Sequence, residues 1–130
     1  SKAFDCIPHE ILICKFRYYG VEGKELLITY FLTNRFKYVC SNGLFSDISK
    51  TACGVPQGSI LVPLLFMVMI NDLPYNIDSQ CITFANDTTL FSSSRNHLLL
   101  ETQNSIIQAS KWFRANGFKL NEKPKIFHSH

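Results

Sequence analysis

Apolar and polar positions along the chain switch between helical and strand-like spacing, with glycine and proline marking the changes. Pro8-His9-Glu10 opens a segment in which Ile11, Leu12, Lys15 and Tyr19 line one helical face before Gly20. Proline suits a first helical turn and glycine suits the position just past the last. A second helix is predicted over Lys24 to Leu32. Phe36 to Cys40 alternates aromatic and polar residues as a strand does, Asn42-Gly43 is a favoured turn pair, and Phe45 to Thr51 reads as the returning strand. The loop Gly54-Val55-Pro56-Gln57-Gly58-Ser59 feeds Ile60 to Leu73, apolar on nearly all sides and therefore predicted as a buried helix. Pro63 is tolerable there only because it falls in the first turn, and Asn71-Asp72-Leu73-Pro74 closes the helix.

In Ile82-Thr83-Phe84-Ala85-Asn86-Asp87-Thr88-Thr89-Leu90-Phe91, apolar and β-branched residues flank a polar centre. The pattern predicts a hairpin whose strands meet at Asn86-Asp87. Asn96 is a candidate cap for a long helix with Leu98, Thr102, Ile106, Ala109 and Phe113 on one face, stopped by Asn116-Gly117. Lys125 to Phe127 reads as the start of another strand. Helices interspersed with antiparallel hairpins give an α+β fold. No repeat, low-complexity tract or linker divides residues 1–130, so they read as a single domain.

Composition narrows the classes without naming a function. The 130 residues are 46% hydrophobic and 18% charged, values of a globular chain and not of a disordered one. Eleven Phe and five Tyr supply core material. The net charge of +3 permits nucleic-acid binding without arguing for it, because no dense Lys/Arg run exists. Cys6, Cys14, Cys40, Cys53 and Cys81 are odd in number, scattered and free of Cys-x-x-Cys pairs, which argues against a disulfide framework or a zinc site. The apolar stretch Ile60 to Ile70 is too short for a spanning helix. No signal peptide or membrane segment is seen, and an intracellular location, cytoplasm or nucleus, is expected.

Three segments carry the candidate chemistry: Ser1-Lys2-Ala3-Phe4-Asp5, Gly54-Val55-Pro56-Gln57-Gly58-Ser59 and Phe84-Ala85-Asn86-Asp87. Each alone has a plain reading as a strand end with a helix cap, a strand-to-helix turn and a hairpin tip. Together, and with the stretches SKAFDCIPHEIL, YGVEGKEL, NGLFSDISKTACGVPQGSIL, PLLFMVMINDLP and WFRANGFKLNEK, the chain resembles the reverse transcriptase domain of non-long-terminal-repeat retrotransposons of the LINE and jockey-like type. The resemblance runs along essentially the whole chain. It implies a partial polymerase palm with part of the fingers and no complete thumb. The family reaction is template-directed DNA synthesis from deoxynucleoside triphosphates, with RNA template and DNA primer as partners and Mg²⁺ as cofactor. Two ions held by carboxylates activate the primer hydroxyl and steady the leaving pyrophosphate.

The resemblance also implies residue roles. Phe4 falls where the family places the bulky residue that blocks a ribose 2′-hydroxyl, and Asp5 where a carboxylate partners nearby backbone. Gly54, Pro56, Gln57 and Gly58 match the loop that lies against template and nucleotide. Lys123 or Lys125 matches a lysine that assists pyrophosphate departure, and a shortened segment leaves both registers open.

The family's metal-binding hairpin reads Phe-Ala-Asp-Asp, so Asn86 stands where it has its first Asp, and Asp87 is the surviving carboxylate. Its other aspartate aligns upstream of Ser1. An amide offers one neutral oxygen and an NH₂ group that cannot ligate a cation, so Mg²⁺ is expected to bind weakly and polymerisation to fail. Val62 replaces a family glycine before Pro63, which puts the local geometry in question. Three readings follow: an active polymerase, a non-catalytic nucleic-acid-binding remnant, or a decayed fragment with no selected activity. Weak or no nucleic-acid binding is expected of this segment alone. Scattered Lys2, Lys24, Arg35, Lys37, Arg114 and Lys119 read as solvated surface before phosphate contacts, Trp112-Phe113 as helix packing before base stacking, and His128 and His130 as a polar tail before a metal pair.

Overall fold

The computed structural model describes residues 4–23, 25–56, 58–85, 87–93 and 97–120. Among them, four helices alternate with antiparallel strand pairs: α1 (His9–Tyr18), α2 (Glu25–Leu32), α3 (Leu61–Ile70) and α4 (Leu98–Ala115). The strands are β1 (Phe36–Lys37), β2 (Cys40–Ser41), β3 (Leu44–Phe45), β4 (Ser49–Lys50), β5 (Gln80–Phe84) and β6 (Asp87–Phe91). They pair as β1 with β4, β2 with β3 and β5 with β6, so this α+β fold delivers its sheet as separate two-stranded ribbons. Lys24, the Asn96 cap and the strand expected over 125–127 lie outside the described residues.

Glycine ends α1 and α4 in the same way. Gly20 and Gly117 adopt φ of +73° and +77°, and each lets the next two backbone N–H groups turn back on the helix. Gly20 donates to the Arg17 carbonyl and Val21 to that of Phe16; Gly117 donates to Arg114 and Phe118 to Phe113. These are Schellman caps, completed at α4 by the Phe113 and Phe118 rings, 5.8 Å apart.

The core is built on α3. Val62, Leu65, Phe66, Met69 and Ile70 of that helix meet Leu12 and Phe16 of α1, Leu32 of α2, and Ala109 and Trp112 of α4. Contrary to the expected burial on all sides, Leu61, Leu64 and Met67 face solvent, because the helices that cover α3 reach only one flank of it. Val62 is buried in the first turn of α3 and has no positive φ, so the branched side chain fits an ordinary helical position. The question its replacement of a family glycine raised is answered by packing.

The expected face of α4 is also rotated. Ala109 is buried and Ile106 and Phe113 half-buried, as the spacing required, but Leu98 is exposed. The centre of the buried stripe is Ser105, Ala109, Trp112 and Asn116. Two polar residues can lie there because both are bonded: Asn116 donates to the Trp112 carbonyl at 2.9 Å, and Ser105 donates to that of Glu101 at 2.8 Å. Ser105 also meets Ser79 at the foot of β5, beside a two-way Asp78–Gln108 contact. These bonds hold the β5–β6 hairpin against α4.

One ion pair ties the helices together. The Lys15 ammonium bonds the Met69 carbonyl at 2.7 Å and the Asp72 carboxylate, and lies 4.8 Å from the Trp112 ring centre. It therefore neutralises the C-terminal end of α3 as well as Asp72. Asp72 is partly exposed, so solvent screening takes a share of the attraction. Lys15→Ala should lower stability by about 1–2 kcal/mol, within the range for hydrogen bonds to charged groups after that discount. Urea unfolding of Lys15→Ala, Asp72→Ala and the double variant checks this through a positive coupling energy.

Candidate nucleotide and metal site

The N-terminal segment and the glycine loop are stitched together by their backbones. Phe4–Cys6 forms a single 3₁₀ turn. The Gly54 N–H donates to the Ile7 carbonyl at 2.8 Å and the Val55 N–H to that of Phe4 at 3.0 Å. Gly54 has φ of +87°, and a Cβ there would lie 3.0 Å from the Asp5 carbonyl oxygen. Only glycine allows both that conformation and that approach. The Phe4 ring, half-buried, rests edge-on against Phe66 of α3 at 5.1 Å. Phe4, Asp5, Gly54 and half-buried Pro56 thus form one cluster. Gly58, with φ of +85°, has open space around it, and Gln57 lies outside the described residues.

His9 belongs to this cluster and was missed by the sequence reading. It is buried, and its Nε2 donates to the Gly54 carbonyl at 2.7 Å. The carbonyl can only accept, so Nε2 carries the proton. The residues are 45 positions apart, so no local pattern signals the contact.

The β5–β6 hairpin places Asp87 differently from expectation. Phe84 pairs with Asp87, which leaves positions 85 and 86 between the strands and makes Asp87 the first residue of β6. The tip is therefore Ala-Asn and not Asn-Asp. Ala85 takes φ of +49°, the left-handed conformation that tight hairpin turns require. Cys81 and Leu90 pair across the ribbon and face the core. Strand alternation sends Phe84 and Asp87 to the opposite, exposed face. Asp87 makes no hydrogen bond or ion pair among the described residues, and Asn86 lies outside them.

Among the described residues, no three His, Cys, Asp or Glu side chains come close enough to hold a metal ion. A lone exposed carboxylate does not fit a centre that must grip two hard divalent cations. Trp112 is buried in the core and cannot stack on a base. The Arg35 guanidinium lies over the Phe31 ring at 4.7 Å, and Lys37, Arg114 and Lys119 are exposed. Lys2, Lys24, Lys123, Lys125, His128 and His130 lie outside the described residues. No helix among those described is long and apolar enough to cross a membrane.

Cysteine chemistry separates by burial. Cys14, Cys40 and Cys53 are exposed, while burial raises the Cys81 thiol pKa above its ordinary value. Less thiolate and poorer access both slow its reaction. Cys81 should be alkylated after those three in the folded protein, and its rate should keep rising with pH beyond the usual thiol range. Mass-spectrometric mapping of a timed iodoacetamide reaction checks the order.

The family model for "Reverse transcriptase (RNA-dependent DNA polymerase)" matches residues 1–129. This chain belongs to the reverse transcriptase family. The RNA-directed DNA polymerase from mobile element jockey of Drosophila melanogaster is 32% identical over 106 residues, 75% of this chain and 12% of that protein. The probable RNA-directed DNA polymerase from transposon BS of the same species is 31% identical across 97% of the chain and 15% of its own length. The Pol polyprotein of type-1 retrotransposable element R2 from Popillia japonica is 23% identical across 92% of the chain and 22% of its own length. The chain thus spans less than a quarter of each relative's length. It is a reverse transcriptase segment of the non-long-terminal-repeat retrotransposon kind. Enzymes of this family use Mg²⁺ and bind nucleic-acid template and primer.

Proposed function

We propose that residues 1–130 form a single palm-containing segment whose metal-binding hairpin has lost a charge, so that this copy does not polymerise DNA. The observation that carries the reading is Asn86 beside Asp87, in a hairpin whose Asp87 is exposed and without a second carboxylate among the described residues. Within the longer protein, RNA template, DNA primer and deoxynucleoside triphosphates are the proposed partners. Phe4 is assigned to the sugar of the incoming nucleotide. Gly54, Pro56, Gln57 and Gly58 are assigned to the loop against nucleotide and template, and Lys123 or Lys125 to the pyrophosphate. The stitched Phe4–Gly54 cluster supports this assignment, because its backbone bonds hold the first two of these groups in fixed relation. Asp87 is the remaining ligand position and would hold Mg²⁺ weakly. Primer extension with Mg²⁺ or Mn²⁺ tests the proposal, and template-dependent incorporation by the unaltered chain would refute it.

A further inference from the structure

Residues 36–50 form an arm that takes no part in the core. β1 and β4 pair at its base and β2 and β3 at its end. The two registers differ by one position, so the returning strand carries a bulge over 46–48, where the Ser46 N–H donates to the Val39 carbonyl and its hydroxyl accepts from the Val39 N–H. Every residue of the arm is exposed, including Phe36 at 61%, Tyr38 at 59% and Phe45 at 68%.

The three rings share one face. Phe36, Tyr38 and Cys40 alternate along the outgoing strand, and Phe45 pairs opposite Cys40. The Tyr38 and Phe45 rings, tilted with centroids 5.6 Å apart, agree with that placement. Lys50 pairs opposite Phe36 and so adds an ammonium to the same face. Arg35 and Lys37 flank the base, and Asp47 is the acid between positions 35 and 50. The Arg35 Nε is held by the Phe31 carbonyl at 2.7 Å, which fixes the guanidinium while its terminal N–H groups remain for an anion.

We propose that this face of the arm binds single-stranded nucleic acid, with bases stacking on Phe36, Tyr38 and Phe45 and phosphates held by Arg35, Lys37 and Lys50. Alternate strand residues lie roughly 7 Å apart, so Phe36 and Tyr38 are separate platforms for separate bases. Three cations against one carboxylate select a polyanion over an apolar protein segment, which would gain nothing from the charge. A duplex is disfavoured, since its bases already stack on one another and offer no free π-face. No contact reads the base edge or the 2′-hydroxyl, so RNA and DNA strands bind alike. The site needs no metal and stands independently of the FAND hairpin.

Fluorescence anisotropy of labelled oligo(dT) and oligo(U), about 12 nucleotides long, measures the binding in the presence of EDTA. With three phosphate contacts, affinity should fall about 20-fold as salt rises from about 50 to about 200 mM. Phe36→Ser, Tyr38→Ser and Phe45→Ser should each weaken binding by about fivefold or more without changing the salt dependence. Lys37→Gln and Lys50→Gln should each flatten it. Thermal unfolding of these variants should match the unaltered chain, since the replaced side chains are exposed. Ring variants that bind as the unaltered chain does, or equal competition by a duplex, would overturn the proposal. So would concentration-dependent self-association that the ring variants abolish while neither oligonucleotide binds.

Discussion

Primer extension by the 130-residue polypeptide should yield no template-dependent product with Mg²⁺ or Mn²⁺. The reason is electrostatic before it is steric. Two divalent ions close together repel strongly, and only a dense set of anionic ligands offsets that repulsion. Asn86 replaces one anionic oxygen pair with a single neutral oxygen and two N–H donors, and Asp87 stands exposed at the head of β6. The decisive comparison supplies an aspartate upstream of Ser1 in both of two proteins and varies only Asn86. The protein that keeps Asn86 should stay at background, and the one with Asn86→Asp should gain activity by at least about 1,000-fold, the scale of removing an essential electrostatic group. Asn86→Asp in the 130-residue polypeptide alone should restore nothing, because the resemblance assigns the third carboxylate to a position before Ser1. Full activity from that single change would refute the account, as would equal activity of the upstream-repaired pair.

Gly54→Ala should destabilise the fold by about 3 kcal/mol, combining left-handed backbone strain with overpacking. The overpacking arises because the added Cβ would lie 3.0 Å from the Asp5 carbonyl oxygen and 3.2 Å from its Cα, both backbone atoms that cannot rotate away. Relief would pull the Gly54 and Val55 N–H groups from the Ile7 and Phe4 carbonyls and Gly54 from His9. Gly43→Ala is the control. Gly43 has φ of +79° but nothing within 4 Å of its would-be Cβ, so only the strain of about 1–2 kcal/mol applies. Urea unfolding of both variants separates the terms. Equal losses would mean that the approach to Asp5 contributes nothing.

The elements legible in the chain were those with local causes. The α1 end at Gly20, the turn at Asn42-Gly43 and the stop at Gly117 follow from residues that tolerate positive φ, and the structure has positive φ at all four. The family and the candidate loop were legible for a different reason, since Phe4-Asp5 and Gly54 to Gly58 are runs whose residue types and order are specific. Other features were not legible. Ala85 rather than Asp87 sits in the turn, because register is set along the whole ribbon, where Cys81 and Leu90 must both face the core. An all-apolar helix such as α3 carries no mark of which flank will be covered.

The sequence by itself determined the family, the helix ends and the neutral residue at position 86, because each depends on residue identity or on a turn of chain. The tertiary structure decided that Gly54 must approach Asp5, that His9 holds the Gly54 carbonyl, and that Phe36, Tyr38 and Phe45 stand on one exposed face. Those contacts join segments whose partners are chosen by packing and strand register, and neither is written in any local stretch of sequence.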